Sequence, residues 1–422
     1  MTSLKTSTPR LVSLASTITG AVNRIQAILS AKGIPSPSFD EDASTSLPTE
    51  VLDAQDAILD ATSELQDLLL EPPELLARYG AHNNMVSLQA ISRFRIASLV
   101  PEGGQISFSE IARQTGLSNS MTCRLLRHAM TMRVFCEPKP GMVAHTKASK
   151  ALRTPHLNSW LACGSHEMWP AAVKMIDAAM KWPDSQEPNE TAFALANDTR
   201  KSIYDTIRAD PERLMRFAGA METFSRSPRY DTAYITEHYD WESLGSASVV
   251  DVGGGKGHIA MAIARRFPRL RITVQDIAQV VEGAESDLTA GLKGRVSFMP
   301  HELFSPQIIQ ADIYYIRWVL HNWPDRHTIA ILRAQIPMLR KGTRVLIHET
   351  CMPAPGEIPL WRERSLRAAD LNMAAIFNAQ ERTVEEWKAL LTEADSRFKL
   401  TKVIQPRGSA LAILEVVWEG EG

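Results

Sequence analysis

Three side chains in the second half of the sequence could move a proton: His321, in ADIYYIRWVLHNWPD, and the acids Glu349, ending RVLIHE, and Glu381, in NAQERT. Histidine suits a base that must accept a proton near neutral pH. A carboxylate accepting from one ring nitrogen would fix the tautomer and stabilise the imidazolium. A lone histidine is more often structural, and it is the two acids in comparable positions that raise this one. Spacing alone leaves open which of them touches the ring. A second group could hold a ligand. In SVVDVGGGKGHIAMAIARRFP an apolar strand ends at Asp251, a turn carries Gly253, Gly254, Gly255 and Gly257, and a helix begins near His258. Glycines admit close approach of a ligand to the backbone, and a helix N-terminus offers unpaired N–H groups. Gly253-x-Gly255-x-Gly257 lacks the G-x-G-x-x-G spacing of a dinucleotide site, so the turn reads as a nucleotide-like cofactor loop or a purely structural turn. Asp276, near the end of LRITVQDI, could accept both hydrogen bonds of a ribose diol; alone it could equally be a solvated carboxylate or a helix cap.

Positioning these groups requires a sheet. Apolar runs at 247–252, 271–275, 311–316 and 344–348 alternate with helical stretches at 257–267 and 326–340, which implies a parallel sheet covered on both faces. His321 falls just beyond the C-terminal end of the 312–316 strand, the edge where open α/β sheets bind ligands. Residues 411–418 face 399–404 as an antiparallel hairpin at the sheet edge. Upstream, residues 155–245 are mostly helical in pattern. Leu11, Leu14, Ile18, Val22, Ile25 and Ile28 mark an amphipathic helix over 10–31, a Ser/Pro-rich mobile connector spans 32–50, and a second helix from Leu52 is ended by Pro72-Pro73. Such helices bury their stripes against the main body or a second subunit. FSEIARQTGLSNSMTCRLLRHAMTMRVF has helix–turn–helix spacing around Gly116, and two strands are expected around Lys139-Pro140-Gly141.

The chain has 422 residues, 44% hydrophobic and 22% charged, enough for two domains of ordinary globular composition. A net charge of −2 gives no global attraction to nucleic acid or anionic membrane, although residues 107–150 carry seven Lys/Arg against two Glu. That local excess keeps a DNA-binding winged helix among the alternatives. Cys123, Cys136, Cys163 and Cys351 lie far apart, which argues against a disulfide framework or a zinc cluster. The first ten residues lack the apolar core of a leader, and no run reaches the roughly 18 apolar residues of a membrane span. The expectation is a cytoplasmic protein with no metal, no nucleic acid and no membrane partner.

Taken in order, DVGGGKG, VQDI, RWVLHNWPD and NAQERTVEEW resemble the plant caffeic-acid-type O-methyltransferases and their fungal secondary-metabolism relatives. The resemblance covers about 85–418, and the extension before it resembles only the fungal branch. It implies a Rossmann-like methyltransferase domain, with a mostly parallel seven-stranded sheet and an antiparallel C-terminal hairpin, preceded by a mainly helical, winged-helix-like dimerisation domain. The corresponding limits are 1–84 for the extension, 85–195 and 196–422. It implies S-adenosylmethionine as cofactor, S-adenosylhomocysteine as product, a homodimer, and a small hydroxyl-bearing substrate, phenolic or enolic. The family's cofactor glycines match Gly253, Gly255 and Gly257, and its ribose-binding acid matches Asp276. Its adenine-contacting Asp-Met pair becomes Glu302-Leu303, and its cofactor-contacting Lys becomes Arg317. The catalytic base matches His321 and the flanking acids Glu349 and Glu381. Asn322 stands where the family usually has Asp, removing a negative charge beside the base. Trp169, Phe193, Met373 and Phe377, with Asn322, are expected to face the substrate in an apolar cavity. Some relatives of this fold keep the cofactor yet catalyse pericyclic or dehydration chemistry, and that is the alternative within the enzyme class.

Overall fold

The computed structural model describes residues 8–420; the first seven, part of the stretch read above as lacking an apolar leader, lie outside that range. The framework resolves into two compact units. One is built from the residues up to Pro170 with Ile207–Thr223 and Pro355–Ser365; the other from Ala171–Thr206, Phe224–Ala354 and Leu366 onward.

In the first unit the heptad-like stripes form helices Arg10–Ala31 and Leu52–Leu69, tied together by an Arg10–Glu64 ion pair. Pro72-Pro73 both ends the second helix and opens another, Pro72–Tyr79, because proline is tolerated only in a helix's first turn. The Ser/Pro-rich segment 32–50, expected to be mobile, is instead pinned down. The Phe39 carbonyl accepts from the Lys147 N–H at 3.2 Å, the Phe39 ring lies under the Arg133 guanidinium, and Asp42 pairs with Lys150 at 2.7 Å. Glu41, Asp42 and its one aromatic ring find basic partners, which composition alone does not reveal.

Phe108–Thr115 and Asn119–Thr131 make the helix–turn–helix. Ser107 and Ser118 cap them by accepting backbone N–H groups, and Gly116 at φ +75° closes the turn between. The expected hairpin around Gly141 is reduced to a single bridge, Cys136 to Ala144. Strand β2 (Met142–Val143) pairs instead with β1 (Ile106–Ser107). Val143 thereby joins Ile91, Ile96, Phe108, Ile111, Leu126 and Phe135 in the core around the helix–turn–helix.

The second unit carries a seven-stranded sheet of β3 (Ser248–Val252), β4 (Arg271–Asp276), β5 (Val296–Pro300), β6 (Ile313–Arg317), β7 (Arg344–Glu349), β8 (Phe398–Ile404) and β9 (Ala412–Trp418). Their order is β5-β4-β3-β6-β7-β9-β8, parallel through β7, with β9 antiparallel to both neighbours. Alternate residues feed two cores. Val250, Tyr314, Ile316, Val345 and Ile347 go to one face; Val249, Ile272, Ile313, Tyr315 and Leu346 go to the other. The sequence pattern passes over β5, a five-residue edge strand interrupted by exposed Ser297 and ending in a proline. The helix expected over 326–340 runs Asp325–Gln335 and gives way at Pro337 to a 3-10 turn.

Candidate active site

Strand β3 connects to β4 on one side and lies beside β6 on the other, so the order reverses there and opens a crevice at the strands' carboxyl ends. The glycine turn follows β3, Asp276 ends β4, Arg317 ends β6 and Glu349 ends β7, all at that edge.

The turn is a close fit of backbone against side chains. At Gly257 φ is +73°, and a Cβ there would lie 2.9 Å from the Phe298 ring and 3.1 Å from Val274. At Gly255 φ is +59°, but a Cβ would meet nothing within 4 Å, so this backbone faces open space. The Gly255 N–H donates to Asp276 Oδ2 at 2.9 Å and the Ile277 N–H to Oδ1 at 2.8 Å. A carboxylate has about four lone-pair sites, so each oxygen keeps one for a diol. Burial holds the Asp276 carboxyl above its ordinary range, and the charge of Glu302 adds to the shift against those two hydrogen bonds. Glu302 is exposed, and Leu303 packs against the core within 3.7 Å of the position a Gly253 side chain would take. An open glycine backbone beside an anchored acid with spare lone pairs fits a nucleoside.

Arg317 reaches the Tyr230 carbonyl through Nη2 at 3.2 Å, while its Nε is buried with no acceptor among the described residues. Its charge opposes the effect of burial on Asp251, whose carboxyl is nevertheless pushed up to about 7. Buried His348, bonded through Nδ1 to the Tyr315 hydroxyl at 2.7 Å, is held well below the usual imidazole range by burial, and Arg317 deepens the shift.

His321 sits on a 3-10 turn, Leu320–Asn322, that immediately follows β6. Its Nδ1 lies 2.9 Å from Glu381 Oε1, and both residues are buried. Glu349 does not bond the ring. It holds the turn instead, Oε1 accepting from the Val319 and Leu320 N–H groups, each at 2.9 Å. The second oxygens of Glu349 and Glu381 are buried without partners among the described residues. Burial disfavours a charged imidazole, but the fields of Glu349 and Glu381 together outweigh it and raise His321 above its ordinary value. Burial raises Glu349 as well, against the pull of His321. Glu381 is placed by its N–H to Asp370 Oδ1 at 2.8 Å, and by its buried neighbour Arg382, which pairs with Asp325 at 2.7 Å.

Of the residues expected to face substrate, Phe377 meets Tyr204 at 5.3 Å between ring centroids, and Met373 is half-buried on the same helix. Phe193 is fully buried, and Asn322 turns its amide to the Trp318 carbonyl at 3.4 Å. Trp169, half-buried, belongs to the first unit. Sequence reasoning passed over Asp251, Tyr204, Asp370 and Trp318. Trp318 stacks on the His321 ring, and only its position three residues upstream could have signalled it. No cluster of metal-binding side chains occurs among the described residues.

A doubly wound sheet with a nucleoside cradle and a carboxylate-held histidine at one edge defines a cofactor-using α/β enzyme. Comparison with known proteins narrows this. The model of the O-methyltransferase domain matches residues 182–397, and that of the O-methyltransferase dimerisation domain matches 79–155. The O-methyltransferase PaMT of Phomopsis amygdali is 45% identical over 412 residues, 97% of this chain and 96% of that protein. The crystal structure of OxaC superposes with a TM-score of 0.78 at 22% identity, covering 97% of this chain and all of that one. A structure described as a pericyclic reaction enzyme gives 0.73 at 22% identity, covering 96% of this chain and all of that one; at such identity the likeness is of fold. The chain belongs to the O-methyltransferase family and is an S-adenosylmethionine-dependent O-methyltransferase.

Proposed function

We propose that this enzyme methylates a phenolic or enolic hydroxyl of a small aromatic or polyketide-type metabolite, with His321 as general base. The observation that carries the reading is the bond between His321 Nδ1 and Glu381. It commits Nδ1–H to the carboxylate and leaves Nε2 as the nitrogen that takes the substrate proton. S-adenosylmethionine, when bound, supplies an electrophilic methyl on a positively charged sulfur. Gly253, Gly255 and Gly257 would present backbone to it, Asp276 would accept from its ribose, Glu302 and Leu303 would take the adenine end, and Arg317 would supply a positive charge. His321 draws the hydroxyl proton off as the oxygen develops charge. Glu381 and Glu349 stabilise the imidazolium that results, and proton removal contributes about 10²–10⁴-fold. Alignment of the hydroxyl, with Phe193, Asn322, Met373 and Phe377 of the second unit as the substrate-facing set, supplies much of the remaining acceleration.

A homodimer formed through 85–195, with 1–84 as an extension and 196–422 as the catalytic region, belongs to the same reading. So do a cytoplasmic address and the absence of nucleic-acid binding. The match to a dimerisation domain and the pairing of several winged-helix cations with acids (Arg113–Glu110, Arg127–Glu137, Lys150–Asp42) support it. Incubation with methyl-labelled cofactor and a panel of phenols and enols tests the reaction. Labelled ether and S-adenosylhomocysteine in equal amounts are expected. Conversion of a substrate without cofactor consumption would overturn it in favour of pericyclic or dehydration chemistry.

A further inference from the structure

Trp318 has a backbone that a bulky residue rarely adopts, φ +56°, immediately after β6. Such conformations persist where the surroundings over-determine them. Here the Trp318 N–H donates to the His348 carbonyl at 3.3 Å and its carbonyl accepts from Asn322. The result is that the indole lies flat against His321, planes 6° apart and centroids 5.7 Å apart. Tyr230, 4.5 Å away, and Phe224, edge-on at 5.3 Å, box the indole, and the Arg317 guanidinium lies 5.8 Å from it. The indole N–H is buried without an acceptor among the described residues, a penalty that a phenyl ring filling the same space would not incur. What indole offers over phenyl is the most electron-rich face of any side chain.

We propose that Trp318 is a positioning residue for the base: it fixes the plane of the His321 ring while Glu381 fixes its rotation, and its π-face stabilises the imidazolium formed when the substrate proton is taken. The inference rests on the reading of His321 as base. The other groups facing the ring are Glu349 and Glu381, which favour its charged form, and Arg382, which opposes it; Asp370, Tyr230 and Cys351 stand near these acids.

The test uses full-length Trp318→Leu and Trp318→Phe, with imidazole-labelled histidine followed by NMR against pH and His321→Asn to assign the signal. Loss of the aromatic face is expected to lower the protonation midpoint of His321 by about half to one pH unit in Trp318→Leu. The acidic limb of the kcat profile should move down with it, kcat should fall about tenfold, and cofactor affinity should stay unchanged. Trp318→Phe should recover most of each effect. A midpoint unmoved in Trp318→Leu, or a Phe variant no better than Leu, overturns the proposal. Should Trp318→Leu fail to fold, Trp318→Phe decides alone: a downward shift smaller than half a unit supports the proposal and none refutes it. Because the midpoint is read without turnover, a shifted midpoint with an unmoved kcat limb would instead remove His321 as base.

Discussion

The two ends of the crevice proposed as the catalytic site, one for cofactor and one for proton transfer, are built by different means. The cofactor end is made of backbone: glycines at positive φ, two N–H groups on Asp276, and a turn whose neighbours leave no room for a side chain at Gly257. The proton-transfer end is made of side chains delivered by three separate segments: His321 after β6, Glu349 at the end of β7, and Glu381 before the Val384–Ala394 helix. The first end is rigid because its local conformation is fixed; the second is tuned because buried charges set one another's protonation. Damage to the first should therefore appear in binding, and damage to the second in rate and pH dependence.

The largest contrast is expected from His321→Ala, which should lower kcat by about 10²–10⁴-fold while calorimetry finds cofactor affinity unchanged. Gly257→Ala attacks the other end. With the Phe298 ring 2.9 Å from the new methyl, cofactor affinity should fall about 100-fold and thermal stability by about 1–3 kcal/mol. Glu381→Gln sharpens the comparison. It removes the charge that raises His321 while leaving an amide oxygen to accept from Nδ1, so the acidic limb of kcat should move to lower pH. The maximal rate should drop about tenfold, because the imidazolium loses its closest counter-charge. Asn322→Asp should matter least, within about threefold in kcat, since the charge it adds beside the base is set against the loss of a 3.4 Å contact to the Trp318 carbonyl.

The same division explains what could be read from the sequence. Contiguous features carried well. The glycine turn, Asp276 on the next strand, the parallel character of the sheet and the C-terminal hairpin follow from local pattern and the period of apolar residues. Long-range pairings did not. Nothing in the spacing told Glu381, sixty positions beyond His321, from Glu349 as the acid that holds Nδ1. Trp318 and Asp251 looked like ordinary strand-end residues until burial and stacking gave them company. Strand β5 escaped because it is short, broken by an exposed serine and closed by a proline, and the connector at 32–50 looked mobile because its partners, Lys147, Lys150 and Arg133, lie about a hundred residues away.

The separation of binding from proton transfer is tested most directly by measuring cofactor dissociation constant and single-turnover methyl transfer side by side in Asp276→Asn and His321→Ala. The account predicts a crossed result. Asp276→Asn should bind cofactor about tenfold more weakly or worse yet transfer at near-native rate once saturated, because a ribose contact is made equally in ground and transition states. His321→Ala should bind normally and scarcely transfer at all. Full transfer by His321→Ala, or equal loss of binding and rate in both variants, would contradict it.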